Sequence, residues 1–225
     1  LEKLCSDIDL SPDAFKFMDC RSGTVAGLPA RVFRISFSGE LAYEVNVDAS
    51  YGHYMWEALM QAGAEFDITP YGTETMHVLR AEKGFIIVGQ DTDGSVTPID
   101  LGMGWAVSMK KSFSFLGKRS LARADTARSD RRQMVGLMSE DPREVLTEGA
   151  QLLHSAQLGD KPHMLGHVTS SYHSACIGRS IALARVEGGA VKEGQTIHAW
   201  DGGKVIAAKI VSPVFVDPEG KRHNV

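Results

Sequence analysis

The chain has 225 residues, 43% apolar and 23% charged, with 24 Lys plus Arg against 28 Asp plus Glu for a net charge of −4. That length can bury a core in one large domain or two modest ones, and the composition is globular rather than disordered. The acidic balance argues against gripping a phosphate backbone, and no uncharged apolar run reaches the ~18 residues that span a bilayer, so neither nucleic acid nor membrane is an expected partner.

Residues 1–9 mix charged with apolar side chains and have no hydrophobic segment of the signal-peptide kind. Cys5, Cys20 and Cys176 form no CxxC pair, which suits a reducing compartment, and the expected location is cytoplasmic. Over 32–37, Phe33, Ile35 and Phe37 alternate with Val32, Arg34 and Ser36, the period of a strand. Ser38-Gly39-Glu40 reads as a tight connection, and Tyr43, Val45 and Val47 continue into a second strand, so a hairpin is expected. Asp48 or Ser50 can cap a helix in which Met55, Trp56, Leu59, Met60 and Ala62 recur and which Gly63 stops. Thr73 can cap a second helix reaching about Lys83, with Gly84 as its left-handed terminator.

Residues 85–88 and 105–109 are expected as strands and 116–124 as a short helix. The charged, small-residue stretch 123–132 marks the domain boundary, giving an α+β domain over 1–128 and a second domain over 129–225. There, short apolar runs at 134–138, 151–154, 165–169, 180–186, 196–200, 205–211 and 214–216 are separated by glycine-rich punctuation, the pattern of a small β-barrel or sandwich.

His163, His167, His173 and Cys176 are metal-type ligands, but His163 and His167 flank Gly166 in a strand-like run, so polar barrel faces are the favoured reading and no metal is expected. Asp91-Thr92-Asp93-Gly94 opens like a calcium loop, yet Gly102 stands where the final glutamate ligand belongs. Neither a dinucleotide fingerprint nor Gly-x-Ser-x-Gly is present. Two carboxylates stand out. Glu44 faces away from Tyr43, Val45 and Val47, as a solvated strand position or a ligand-binding acid. Glu82 shares the apolar stripe of its helix with Val78 and Leu79 and needs a partner, for which Arg80 and Lys83 are candidates.

Ser36-Phe37-Ser38-Gly39-Glu40-Leu41-Ala42-Tyr43-Glu44, then Leu79-Arg80-Ala81-Glu82-Lys83-Gly84, Gly89-Gln90-Asp91, Pro98 and Gly104-Trp105 follow in order and resemble the folate-binding fold of the aminomethyltransferase (glycine-cleavage T-protein) family. Phe115-Leu116-Gly117-Lys118, Gly166-His167-Val168-Thr169-Ser170 and Gly178-Arg179-Ser180-Ile181-Ala182-Leu183-Ala184 resemble its C-terminal barrel. The run from His77 to Gln90 is similar to the sarcosine-oxidase alpha-subunit branch of that family. The fold class implied is α+β: a partial aminomethyltransferase folate-binding fold followed by a small C-terminal β-barrel.

The resemblance implies a tetrahydrofolate site. Glu44 would line an enclosed cavity and accept two parallel hydrogen bonds from the pterin's amino group and adjacent N–H. Trp105 and Tyr43 would stand near the ring. Phe37 falls where related demethylases often carry a tyrosine, and Met76 where the T-protein has an arginine that helps hold folate. No catalytic residue is expected within the chain, because the family's aspartate should lie upstream of Leu1, with this chain as a carboxyl-terminal piece. FAD, FMN and NAD are expected only in the full assembly, not on this chain. Expected partners are folate and other sarcosine oxidase subunits, chiefly the flavoprotein beta subunit. The activity implied is capture of the one-carbon unit of oxidised sarcosine as 5,10-methylenetetrahydrofolate with release of glycine. The alternatives are an aminomethyltransferase or dimethylglycine-type demethylase domain, or a non-catalytic folate-binding or subunit-docking module.

Overall fold

Ala26 and Gly27 both take positive φ, 50° and 80°, the geometry of a two-residue turn whose twist matches that of the strands it joins. In the computed structural model, which describes residues 1–223, this turn links β1 (Cys20–Val25) to β2 (Leu28–Phe33) with Val25 opposite Leu28. β2 pairs antiparallel with β3 (Glu44–Asn46), placing Phe33 opposite Glu44 in a sheet of order β1-β2-β3. The expected hairpin therefore exists, but its first strand lies upstream and residues 34–43 form a longer connection. Arg34 explains the break. Its guanidinium is buried and donates to the Phe15 carbonyl at 2.6 Å, and its backbone N–H goes to the Asp19 carbonyl at 3.0 Å instead of to β3.

Asp48 accepts from the Ser50 N–H at 3.0 Å and so caps a 3-10 turn at Ala49–Tyr51 that leads into α1 (Gly52–Gly63). Met55 and Leu59 of α1 pack with Leu10, Phe15, Val25 and Val32. Two compact units result: Leu1–Leu79 together with the stretch from Asp217 on, and Arg80–Val216. α2 (Thr73–Glu82) ends as expected, with Gly84 at φ +68°. A β-carbon on Gly84 would also sit 2.6 Å from the Pro213 carbonyl oxygen.

The second unit is a closed six-stranded antiparallel barrel. Its strands are β4 (Arg132–Ser139), β5 (Gln151–Leu153), β6 (Gly166–Ser174), β7 (Arg179–Glu187), β8 (Thr196–Asp201) and β9 (Lys204–Val211), in the order β4-β7-β6-β5-β8-β9. Closure leaves no unpaired edge. The interior is filled by Leu137, Leu152, Val168, Ala184, Ile197 and Ile210 among others. Six of the seven apolar runs are these strands. Residues 214–216 are not a strand: the N–H groups of Phe215 and Val216 both donate to the Glu82 carbonyl, at 2.8 and 3.0 Å, and satisfy an end of α2 that would otherwise lack a partner.

Two other expected strands are absent. Residues 85–88 continue the turn that closes α2, with the Phe85 N–H bonded to the Arg80 carbonyl at 2.9 Å. Trp105 lies in a 3-10 turn at Gly104–Ala106. The expected short helix is α3 (Lys118–Leu121). The boundary read at 128/129 differs from the spatial division, which keeps residues 80–128 with the barrel. Asp93 pairs with Arg185 of β7 and Asp100 with Arg131 beside β4, which ties that stretch to the barrel. Among the described residues no helix is long and apolar enough to cross a membrane.

Candidate functional site

β3 sits at the edge of its sheet and is three residues long, so neighbouring side chains fall on opposite faces. Tyr43, Val45 and Val47 turn into the core, where the Tyr43 ring meets Phe15 at a centroid separation of 6.0 Å. Glu44 is exposed, and its carboxylate makes no hydrogen bond or ion pair among the described residues. The alternation read from sequence holds, but the expected enclosure of Glu44 does not: the residue is exposed on the face of β3 opposite the core. Tyr43, not Glu44, borders a hollow of about 470 Å³ walled by Leu1, Leu4, Leu59, Phe66 and Ile68. Tyr43 and Glu44 are thus adjacent in sequence but serve different faces.

Phe37 is about one-third exposed in the 34–43 connection, which is tightened by the Gly39 N–H donating to Ser36 Oγ at 2.9 Å. Met76 is half-buried on α2. In the barrel unit, Trp105 is 82% exposed and its ring is available to a flat ligand.

The charged residues of the family motifs have a different task. Arg80 and Asp91 are both fully buried and pair at 2.6 Å. Asp91 Oδ2 also accepts the Ile87 N–H at 2.8 Å, while Oδ1 accepts the hydroxyls of Thr169 (2.5 Å) and Ser170 (2.8 Å). The second arm of Arg80 donates to Ser170 Oγ at 2.7 Å and to the Tyr172 hydroxyl at 3.2 Å. A bulge makes this possible: Val168 pairs with Ala184 and Ser170 with Leu183, leaving Thr169 as an extra residue in β6 that re-aims its hydroxyl. Gln90 adds bonds to the Thr169 carbonyl and Ser170 Oγ.

The Asp91-Thr92-Asp93 stretch is therefore a clamp on the barrel. Glu82 is also resolved differently from expectation, since Ser174 donates its hydroxyl at 2.5 Å and Arg80 is committed to Asp91. The only sequence signal for this network was charge placed within apolar runs.

Two further carboxylates extend the clamp. Asp93 pairs with Arg185 at 2.6 Å, and this bond, followed by those from Ser95, holds its carboxyl well below the usual carboxylate range. Asp100 is opposed by burial, but the Arg131 guanidinium and the Thr97 N–H and hydroxyl outweigh it and lower the carboxyl. His163 bonds Glu187 at 2.8 Å, and among the described residues no group of three or more His, Cys, Asp and Glu side chains could hold a metal.

A family model described as the GCVT N-terminal domain matches residues 1–111, and one described as the glycine cleavage T-protein C-terminal barrel domain matches residues 132–217. The sarcosine oxidase subunit alpha of Corynebacterium sp. (strain U-96) is 48% identical over all of this chain, and that of Rhizobium meliloti (strain 1021) is 40% identical over 97% of it. The chain spans only 23% and 22% of those relatives. An aminomethyltransferase of Streptomyces avermitilis is 34% identical over 82% of the chain and 48% of that relative. Among solved structures, a glycine cleavage system aminomethyltransferase T from Bartonella henselae shares the fold, with a TM-score of 0.71 and 24% identity over 84% of this chain and 50% of that one.

Proposed function

The chain belongs to the glycine cleavage T-protein family, and from that premise we propose that it is the tetrahydrofolate-binding region of a sarcosine oxidase alpha subunit. The observation that carries the reading is Glu44: an acid with both oxygens unbonded among the described residues, on a strand whose other face packs against the core. Such a carboxylate can take a pair of parallel N–H donors from a pterin-like ring and would reject rings that lack them. Trp105 offers an exposed aromatic face to a flat heterocycle. Each side chain, taken by itself, has chemistry that suits such a ring. Phe37 brings no hydroxyl and Met76 no charge, so neither supplies a polar grip.

Tetrahydrofolate, when bound, supplies the amine that takes up the one-carbon unit of oxidised sarcosine, yielding 5,10-methylenetetrahydrofolate and glycine. The chain's own contribution is to bind and orient the ring through the Glu44 carboxylate. FAD, FMN and NAD belong to other parts of the enzyme, whose flavoprotein beta subunit is the proposed source of the oxidised substrate within a cytoplasmic heterotetramer.

The test is Glu44→Gln in the assembled enzyme, with titration of folinic acid and stopped-flow flavin reduction by sarcosine. Losing a charge-assisted contact of about 1.5–3 kcal/mol should weaken folinic acid binding roughly 10- to 150-fold and leave flavin reduction nearly intact. Unchanged folinic acid affinity, or equal loss of both activities, rejects the assignment.

A further inference from the structure

Residues 102–124 carry Lys110, Lys111, Lys118, Arg119 and Arg123 and not one carboxylate, in a chain whose net charge is −4. The same stretch exposes four large apolar side chains: Trp105, Met109 (47%), Phe113 (62%) and a fully exposed Leu116. The cations are drawn around the aromatic rings. Lys111 Nζ lies 5.6 Å from the Phe113 centroid and 5.9 Å from that of Phe115, and Lys118 Nζ lies 5.8 Å from Phe115. Lys118 also donates to the Lys111 carbonyl at 2.7 Å, which closes the segment on itself. A hollow of about 450 Å³ opens between Phe115, Leu116 and Arg119. Exposed apolar side chains interleaved with cations of one sign, and with no carboxylate among them, mark a segment that something covers.

We propose that residues 102–124 form a docking surface for the acidic face of a second, different polypeptide, with Phe113 and Leu116 as the buried anchors and the five cations as the rim. The proposal builds on the reading of the chain as part of a multisubunit enzyme. It does not depend on folate. Charge complementarity selects the occupant. A second copy in two-fold pairing would bring the same cations face to face. Nucleic acid or an anionic bilayer spreads negative charge well beyond a patch of five cations on a chain of net charge −4, whereas a folded partner can confine its carboxylates to the patch.

The test uses the full-length subunit assembled with its partner subunits and treated with a carbodiimide, which joins a lysine amine directly to a contacting carboxylate. Cross-links from Lys110, Lys111 or Lys118 to Asp or Glu of a different polypeptide are expected. Lys110→Glu/Lys111→Glu should weaken subunit association at least about tenfold at low salt, with a smaller effect at high salt and an unchanged melting temperature of the isolated subunit. Phe113→Ser/Leu116→Ser, at exposed positions, should weaken association without the salt dependence. Cross-links confined to the same chain or to a second copy, unaltered association of both variants, or charge-dependent binding seen only to phosphatidylserine vesicles overturns the proposal. Folinic acid titration of the same samples separates the two ideas: wild-type protein that fails to bind it sinks the functional reading alone, and variants that bind it but fail to associate support the docking surface.

Discussion

Removing the carboxylate of Asp91 tests the clamp between the Arg80 helix end and the barrel. Asp91→Ala deletes four accepted hydrogen bonds, from Arg80, the Ile87 N–H, Thr169 and Ser170. Arg80 would keep the Phe85 carbonyl, Ser170 and Tyr172 but lose its countercharge in a place with no solvent access. An uncompensated buried charge of this kind costs about 3–5 kcal/mol. At ~2–4 °C per kcal/mol for a chain of this size, the barrel's melting temperature should fall by roughly 6–20 °C. Arg80→Met/Asp91→Leu removes both charges together and should cost about 2 kcal/mol or less. The assay is hydrogen exchange of the β6 amides under increasing denaturant, which reads the barrel rather than the whole chain. An Asp91→Ala cost under about 1 kcal/mol, or single-site effects of Arg80→Met and Asp91→Leu that simply add in the double variant, would refute the argument.

Gly166→Ala should destabilise the barrel by about 1–3 kcal/mol or more, because the new methyl would overlap the Arg185 carbonyl across the β6–β7 pair, 2.8 Å from its carbon. A variant with the wild-type denaturation midpoint would show that the two strands separate freely. The carboxyls of Asp93 and Asp100 are both depressed in the folded chain from a reference value of 3.8, so their stabilisation is present above that value and is lost as the pH falls below it. Chemical denaturation of the wild type should therefore weaken progressively on acidification, and Asp93→Asn/Asp100→Asn should be less stable near neutrality but flatter with pH. Parallel pH profiles for the two proteins would remove these groups from the account.

Much of the architecture was legible locally. The short apolar runs of the second half became barrel strands because strand periodicity and glycine turns are short-range properties, and Gly84 stopped its helix by its left-handed conformation, whereas Gly63 stays right-handed and runs into a 3-10 turn at Ala64–Phe66 that ends at left-handed Asp67. The Tyr43/Glu44 alternation was likewise legible, since adjacent residues of an extended chain point oppositely. The errors came where a distant partner decided the outcome. Residues 214–216 had strand composition, but the open end of α2 recruited their N–H groups. Residues 85–88 were apolar enough for a strand, yet the turn closing α2 took them.

What the sequence by itself determined was the family, the order of helix and strand signals, and the identity of Glu44 as an acid on the polar side of its strand. Only the tertiary structure decided which charges belong to each other. Arg80 lies near Glu82 in sequence, but it pairs with Asp91, because the β6 bulge brings the Thr169 and Ser170 hydroxyls to complete that site while Ser174 serves Glu82. The reason is physical: a buried charge is stable only beside a countercharge and hydrogen-bonding groups aimed at it, and that matching is set by segments dozens of residues apart whose spacing no local pattern encodes.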